Sequence, residues 1–306
     1  MDKILRIDMG AKGGPKARVD TLGDYAGLGG RAMTSASIAK EVPPTCHPLG
    51  ADNKMVFAPG LLGGTSASMS GRISVGYKSP LTGGIKEANA GGQAAQLIAH
   101  LGYAAIVLEG QPEEGKLYQI FINKAGCTIG PADEFRMLGN YDLIEKLKDQ
   151  YAKKAGFISI GPAGEMKMHV SSVACTDREQ RPTRHAARGG SGAVMGSKGV
   201  KVINLDDTGT RRINPKDVES FKAANRTFSA GIKKHAVTGE GLRAYGTNVL
   251  TNVLNEAGGY PTRNFRRGRF ETAGKISGET IAALEVERGG LDEHSCHTGC
   301  IIKCSG

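Results

Sequence analysis

The sequence predicts an α+β fold, with a β-rich N-terminal domain over residues 1–207 and the start of a helical domain over residues 208–306. Three observations carry this. Short apolar runs bounded by turn residues recur from Ile4 to Leu205, the signature of strands. From Asp206 onward these runs stop and longer helix-forming patterns take over. The 45 glycines are scattered without a period, which marks tight turns and close backbone approaches rather than low complexity.

Taken in order, ILRIDM (4–9) reads as a strand that KARVD (16–20) rejoins as a hairpin. GLGGRAMTSASIAKEV (27–42) has a glycine-rich lead-in to a helix that stops at Pro43-Pro44. KMVFAPG (54–60) is a short buried strand, and RISVGY within 61–84 is a strand after a Gly/Ser-rich loop. NAGGQAAQLIAHLG (89–102) reads as a loop entering a helix that Gly102 caps. YAAIVLEG (103–110) and LYQIFIN (117–123) are expected to be consecutive strands around a charged turn, and YDLIEKLKDQYAKK (141–154) an amphipathic helix. FISIGPAG (157–164), MHVSSVAC (168–175) and VKVINL (200–205) complete the strands. Helices follow over 215–235, 245–258 and 278–287, the first started by Pro215. No internal repeat is evident.

A chain of 306 residues exceeds the usual size of one domain. Hydrophobic residues make up 39% and aromatics 5%, with no Trp. No apolar run is long enough to span a bilayer, and MDKILRIDMG lacks the features of a signal peptide. No membrane role is expected, and the default location is cytoplasmic. The net charge of +10 admits nucleic acid, an acidic protein or a polyanionic cofactor as partner. Nucleic acid is disfavoured, because the most basic stretch carries no aromatic residue.

That stretch, RPTRHAARGGSGAVMGSKG (181–199), holds Arg181, Arg184, Arg188, Lys198 and five glycines, with no acidic residue. Glycine N–H groups and guanidinium groups together suit an anion. Two further glycine-rich loops, GGTSASMSGR (63–72) and NAGG (89–92), lie in the same domain near Arg72, Lys78 and Asn89. Three such loops point to a long phosphate-bearing ligand. None matches a dinucleotide fingerprint or a Walker loop.

Of six cysteines, Cys46, Cys127 and Cys175 are isolated and expected to be reduced thiols. Cys296, Cys300 and Cys304 fall within nine residues, which in a cytosolic chain favours metal over a disulfide. Spaced four apart, they share one face if the segment is helical. His294 or His297 could complete a zinc site locally, whereas a cubane needs a fourth cysteine from elsewhere. Both readings, and a third in which three unligated cysteines merely share helical spacing, stay open on the residues alone.

Together these segments resemble the aldehyde:ferredoxin oxidoreductases, the tungsten bis-pyranopterin enzymes. The resemblance rests on SGRISVGYKSPLTGGIKEANAGG (70–92), LGYAAIVLEG (101–110), ISIGPAGE (158–165), ARGGSGAVMGSKGVKVI (187–203), LRAYGTNVLTNVLNEAGGYPTRNF (242–265) and CHTGCIIKC (296–304). It implies a first domain forming a β-sheet base beneath a tungstopterin, helical domains after it, and a [4Fe-4S] cluster beside the pterin. The implied reaction oxidises an aldehyde to a carboxylic acid and passes the electrons to ferredoxin. By position, Arg72, Asn89 and Gly91 match pterin contacts in the first two loops, and Arg184, His185 and Ala187 match those before the third. The family often has a small residue at position 185. Cys296, Cys300 and Cys304 match the first three cluster ligands, although many members place two residues, not three, between the first two. Each pyranopterin carries a phosphate, and a Mg2+-bridged pair is strongly anionic, in keeping with the basic, glycine-rich loops. Members run to about twice this length as far as the resemblance goes. The absent half would carry the fourth cysteine, contacts to the second pterin and the proton-transfer residues, so the chain reads as a fragment or as one half of a split enzyme. The rival reading is a non-catalytic iron–sulfur or zinc scaffold that relays electrons.

Overall fold

The computed structural model describes residues 1–152, 154–210, 213–290 and 294–304. The chain divides into two compact units, Met1–Asn214 and Pro215–Gly306. The fold is α+β, as the sequence leads one to expect.

The first unit contains two six-stranded sheets. The first is formed by β1 (Lys3–Asp8), β2 (Lys16–Thr21), β3 (Met55–Pro59), β4 (Ile73–Lys78), β5 (Ile85–Ala90) and β6 (Tyr103–Glu109), in the spatial order β2-β1-β6-β3-β4-β5. The second contains β7 (Tyr118–Asn123), β8 (Gly126–Pro131), β9 (Gly156–Ser159), β10 (Val173–Cys175), β11 (Arg184–Ala186) and β12 (Val200–Leu205), in the order β8-β7-β12-β9-β10-β11. Adding six to each strand number of the first sheet reproduces the second.

The pairing senses agree as well. β1 runs parallel to β6, and β7 to β12, while every other neighbouring pair in both sheets is antiparallel. Helices fall at matching points. α1 (Gly30–Glu41) lies between β2 and β3, and α3 (Asn140–Lys148) between β8 and β9. α2 (Ala94–His100) and α5 (Ser191–Ser197) link the fifth strand of each sheet to the sixth; α4 (Pro162–Glu165) is a single turn after β9. The unit is therefore an internal duplication of architecture, which sequence inspection missed. A second consequence is that Tyr103–Glu109 and Tyr118–Asn123 are not neighbours in one sheet. They belong to different copies.

Strand alternation sorts side chains into layers. Leu5, Ile7, Phe57, Ile106 and Leu108 of the first sheet join Ile120, Ile122, Ile158, Ile203 and Leu205 of the second in one buried cluster. The opposite face of the first sheet, through Ile4, Val56, Ala58 and Val107, packs on Met33 and Ile38 of α1. The opposite face of the second, through Phe157 and Val202, packs on Leu143, Ile144 and Leu147 of α3. Cys175 is fully buried, and burial pushes its thiol up to about 12.

The second unit contains α6 (Val218–Lys234), α7 (Leu242–Tyr245), α8 (Leu250–Glu256) and α9 (Gly278–Glu287). Asp217 caps α6, its carboxylate accepting from the Ser220 N–H at 3.0 Å. Pro215 thus lies two residues ahead of the N-cap rather than inside the first turn. Among the described residues, this unit buries only Ala273 and Cys300 of its apolar side chains, while Phe228, Val253, Phe265 and Val286 are exposed. Its described residues form no core cluster of the kind that fills the first unit.

One polar network ties α1 to the first sheet. The Arg6 guanidinium donates twice to the Glu41 carboxylate at 2.7 Å, and the Tyr25 hydroxyl and Lys54 ammonium each donate at 2.6 Å. Burial alone would raise the Glu41 carboxyl, but the donated bonds hold it down at about 2. An unfolded glutamate titrates near 4.5, so the network's contribution is whole above that pH and is lost as pH falls towards 2. Glu41→Gln should lower the unfolding free energy at neutral pH by about 2–3 kcal/mol. Denaturant titrations at about pH 6 and about pH 3 should show the gap to the parent narrowing in acid; a gap of equal size at both would refute the account.

Candidate functional site

The expected site residues lie at the ends of the two fourth-to-fifth-strand hairpins. Arg72 immediately precedes β4, and Asn89 sits on β5 opposite Ser74. The Arg72 Nε donates to the Asn89 Oδ1, and its Nη2 reaches the Asn89 carbonyl at 3.3 Å. Both side chains are exposed, and Gly91, directly after the strand, is buried. Asn89 is a strand residue, not part of a loop, because its register with Ser74 continues the β4 pairing.

The duplicated copy repeats this arrangement with different residues. Ser172 immediately precedes β10, and His185 sits on β11 opposite Ala174. The Ser172 hydroxyl and the His185 Nδ1 are 2.9 Å apart. Arg72 with Asn89, and Ser172 with His185, therefore occupy equivalent positions. Arg184 is partly buried on the same short strand, and Ala187 is exposed just beyond it. β5 and β11 are edge strands of their sheets and pack against one another. The structure thus brings Arg72, Asn89 and Gly91 to one edge, and Arg184, His185 and Ala187 to the adjoining edge. Ser172 was missed because a lone serine in a strand pattern carries no chemical signal until its partner is known.

The glycine turns that follow are fastened crosswise. The Gln93 N–H donates to the Thr176 carbonyl at 3.0 Å, and the Gln93 side chain donates to the Asp177 carbonyl at 2.7 Å. In return the Tyr77 hydroxyl donates to the Arg188 carbonyl, and the Ser79 hydroxyl to the Gly189 carbonyl at 2.8 Å. Each copy's turn is held by the other copy's fourth strand and the residues just beyond it. Gly92 has φ of +92°, and a Cβ there would lie 2.5 Å from the Thr176 carbonyl oxygen.

Two cations of the basic stretch serve the fold. Arg181 pairs with Asp177 at 3.0 Å and Glu179 at 3.3 Å. Lys198 is fully buried, its ammonium donating to the carbonyls of Gly50, Ala51 and Gly110 at 2.9–3.2 Å and also to that of Asn53. The stretch is also not a loop throughout, since it includes β11 and α5. The Asp177–Arg181 spacing of four was a readable sign for the first pair. Nothing local to Lys198 announces its four acceptors.

In the second unit the donor atoms of Cys296, His297 and Cys300 lie within 4.8 Å of one another. A hydrogen bond from Cys296 pulls the Cys300 thiol down to about 5 against the opposing effect of burial, and the thiolate is the form that binds metal. Two sulfurs and an imidazole are a donor set that suits iron or zinc. The segment is not helical, because Gly299 and Lys303 take φ of +84° and +57°. Cys304 instead forms an isolated bridge with His294 and stands apart from the three-donor group.

Comparison with known proteins agrees over both units. Residues 4–207 match the family described as aldehyde ferredoxin oxidoreductase, N-terminal domain, and residues 223–306 match the same family's domains 2 and 3. Tungsten-containing aldehyde ferredoxin oxidoreductases of Thermococcus kodakarensis and Pyrococcus horikoshii are each 38% identical, over 275 and 277 residues, which is 89% of this chain and 44% of theirs. The chain thus spans less than half the length of these relatives. Among solved structures, the active site complex BamBC of benzoyl coenzyme A reductase, bound to 1,5-dienoyl-CoA, superposes with a TM-score of 0.78. That match has 24% identity and covers 99% of this chain and 46% of the other, a likeness of fold.

The crosswise fastening has a direct test. Gly92→Ala combines a left-handed backbone with a methyl pressed onto the Thr176 carbonyl, and should cost about 1–3 kcal/mol. Thermal unfolding should show a midpoint lower by several degrees, about 2–8 °C. An unchanged midpoint would mean that the turn is not held as described.

Proposed function

The chain belongs to the aldehyde ferredoxin oxidoreductase family, and we propose that it is the pterin- and cluster-binding half of a tungsten enzyme that oxidises an aldehyde to a carboxylic acid with ferredoxin as electron acceptor. The observation that carries this reading is the duplication. Two equivalent strand edges, each with an exposed polar pair followed by a glycine turn and a short helix, suit two copies of one ligand. A bis-pyranopterin is such a ligand.

On this reading Arg72 and Asn89 present guanidinium and amide groups to one pterin, with Gly91 allowing close backbone approach. Arg184, His185 and Ala187 do the same on the adjoining edge, where His185 offers the imidazole that the Ser172 hydroxyl orients. A Mg2+ ion between the two phosphates belongs to the same proposal. Cys296, Cys300 and Cys304 would hold a [4Fe-4S] cluster, and the Cys296–Cys300 approach supports the first two. When bound, the tungstopterin supplies the two-electron chemistry of aldehyde oxidation. The chain's part is to bind and orient that group and to keep its phosphates neutralised.

The exposed apolar side chains of the second unit support a further segment or partner subunit that covers them and supplies the remaining ligands and the substrate pocket. Positive charge on this chain would also attract an acidic ferredoxin. A cytoplasmic location is part of the same proposal; among the described residues, no helix is long and apolar enough to cross a membrane.

The test is co-expression with a C-terminal half from the family, anaerobic purification, and measurement of tungsten and pterin. Arg72→Ala and Arg184→Ala should each weaken pterin retention by about 1.5–3 kcal/mol, the worth of a charge-assisted contact. Full cofactor in both variants would remove the cradle assignment. Folded material with iron or zinc but neither tungsten nor molybdenum would favour the scaffold or electron-relay reading instead.

A further inference from the structure

His297 stands next to Cys296, and only 1% of its surface is exposed. Its Nδ1 lies 2.9 Å from the Thr298 carbonyl oxygen. A carbonyl can only accept, so Nδ1 carries the proton and the lone pair of the neutral ring is on Nε2. That Nε2 is buried and has no hydrogen-bond partner among the described residues. Leaving a buried acceptor without a partner costs stability. A metal-ligating histidine shows this same pattern, with one ring nitrogen donating to a backbone carbonyl and the other turned to the metal.

The surroundings complete the case. The donor atoms of Cys296, His297 and Cys300 lie within 4.8 Å of one another. Thiolates at about 2.3 Å and an imidazole at about 2.0 Å from one tetrahedral metal are roughly 3.3–3.8 Å apart, so a small closing movement would bring all three onto one zinc ion, whereas an iron–sulfur centre would share them among its irons. We propose that Nε2 of His297 is a metal ligand, giving the metal centre of this chain an imidazole beside the Cys296 and Cys300 sulfurs. The metal is one that accepts both thiolate and imidazole, either iron within an iron–sulfur centre or a single zinc ion. The proposal does not depend on the pterin assignment. Loss of tungsten would count against the function proposed above, whereas loss of the nitrogen ligand counts only against this one.

The experiment uses the full chain purified anaerobically from cells fed 15N-histidine, with iron and zinc measured first. An iron centre is reduced and examined by pulsed electron paramagnetic resonance for 15N coupling. A zinc centre is examined by X-ray absorption for a nitrogen neighbour at about 2.0 Å. The expected result is a histidine nitrogen on the metal of the parent protein. His297→Ala should abolish it and weaken metal binding at least about tenfold. His297→Cys, which restores a ligand of another kind, should recover the metal with an all-sulfur signature. The proposal is overturned by a parent centre without a nitrogen ligand, by a nitrogen signal that survives His297→Ala, or by a parent chain that binds neither iron nor zinc.

Discussion

The candidate cradle depends on the exchange of hydrogen bonds between its two copies. A glycine turn left to itself samples many conformations, since glycine loses more backbone freedom on folding than any other residue. Here the first turn is held at Thr176 and Asp177 of the second copy, and the second turn is held by Tyr77 and Ser79 of the first. Edge strands are also the weak points of sheets, because their outer N–H and C=O groups are unpaired. β5 and β11 cover one another at that edge. The arrangement that fixes the turns therefore also closes the fold where it would otherwise be open.

Much of the fold was legible in the sequence. β1, β3, β4, β6, β7 and β12 are compact runs of aliphatic residues with turns at both ends, and their period decides their class without tertiary information. β8 and β11 were not legible. Gly126–Pro131 is rich in turn residues, and Arg184–Ala186 is short and polar, so pairing with a neighbour rather than propensity makes them strands. The duplication was hidden for a related reason. The two copies share strand order, pairing sense and helix placement but fill equivalent positions with different side chains, as Arg72 and Ser172 do. Architecture repeats where residue identity does not.

The site was legible in composition more than in geometry. Arginine, lysine and glycine in one stretch announce an affinity for anions, but charge alone does not say which way a side chain points. Arg181 pairs at the surface with Asp177, and Lys198 turns inward to four carbonyls. The cysteine spacing was a pointer to a metal-donor group and an unsound guide to shape. A spacing of four suits a helix only if every intervening residue takes helical dihedrals, and Gly299 and Lys303 take positive φ instead. The buried imidazole between Cys296 and Cys300 could be named from the sequence as a candidate, while the direction of its lone pair is set by the contact of Nδ1 with the Thr298 carbonyl.

The crosswise fastening also bears on the order in which the chain can be finished as it leaves the ribosome. The Gln93 side chain finds its acceptor 84 residues downstream, and Tyr77 finds its own 111 residues downstream. The first sheet can assemble as soon as Glu109 has emerged, yet its outer edge and its turn stay unclosed until β10 and β11 have been made. Contacts of such long sequence separation form slowly. During that interval the nascent first copy presents a bare strand to its surroundings, a state in which chains commonly go astray. The same separation delays the candidate cradle to the end of the unit's folding, so any ligand of it could meet a formed edge only after both copies exist.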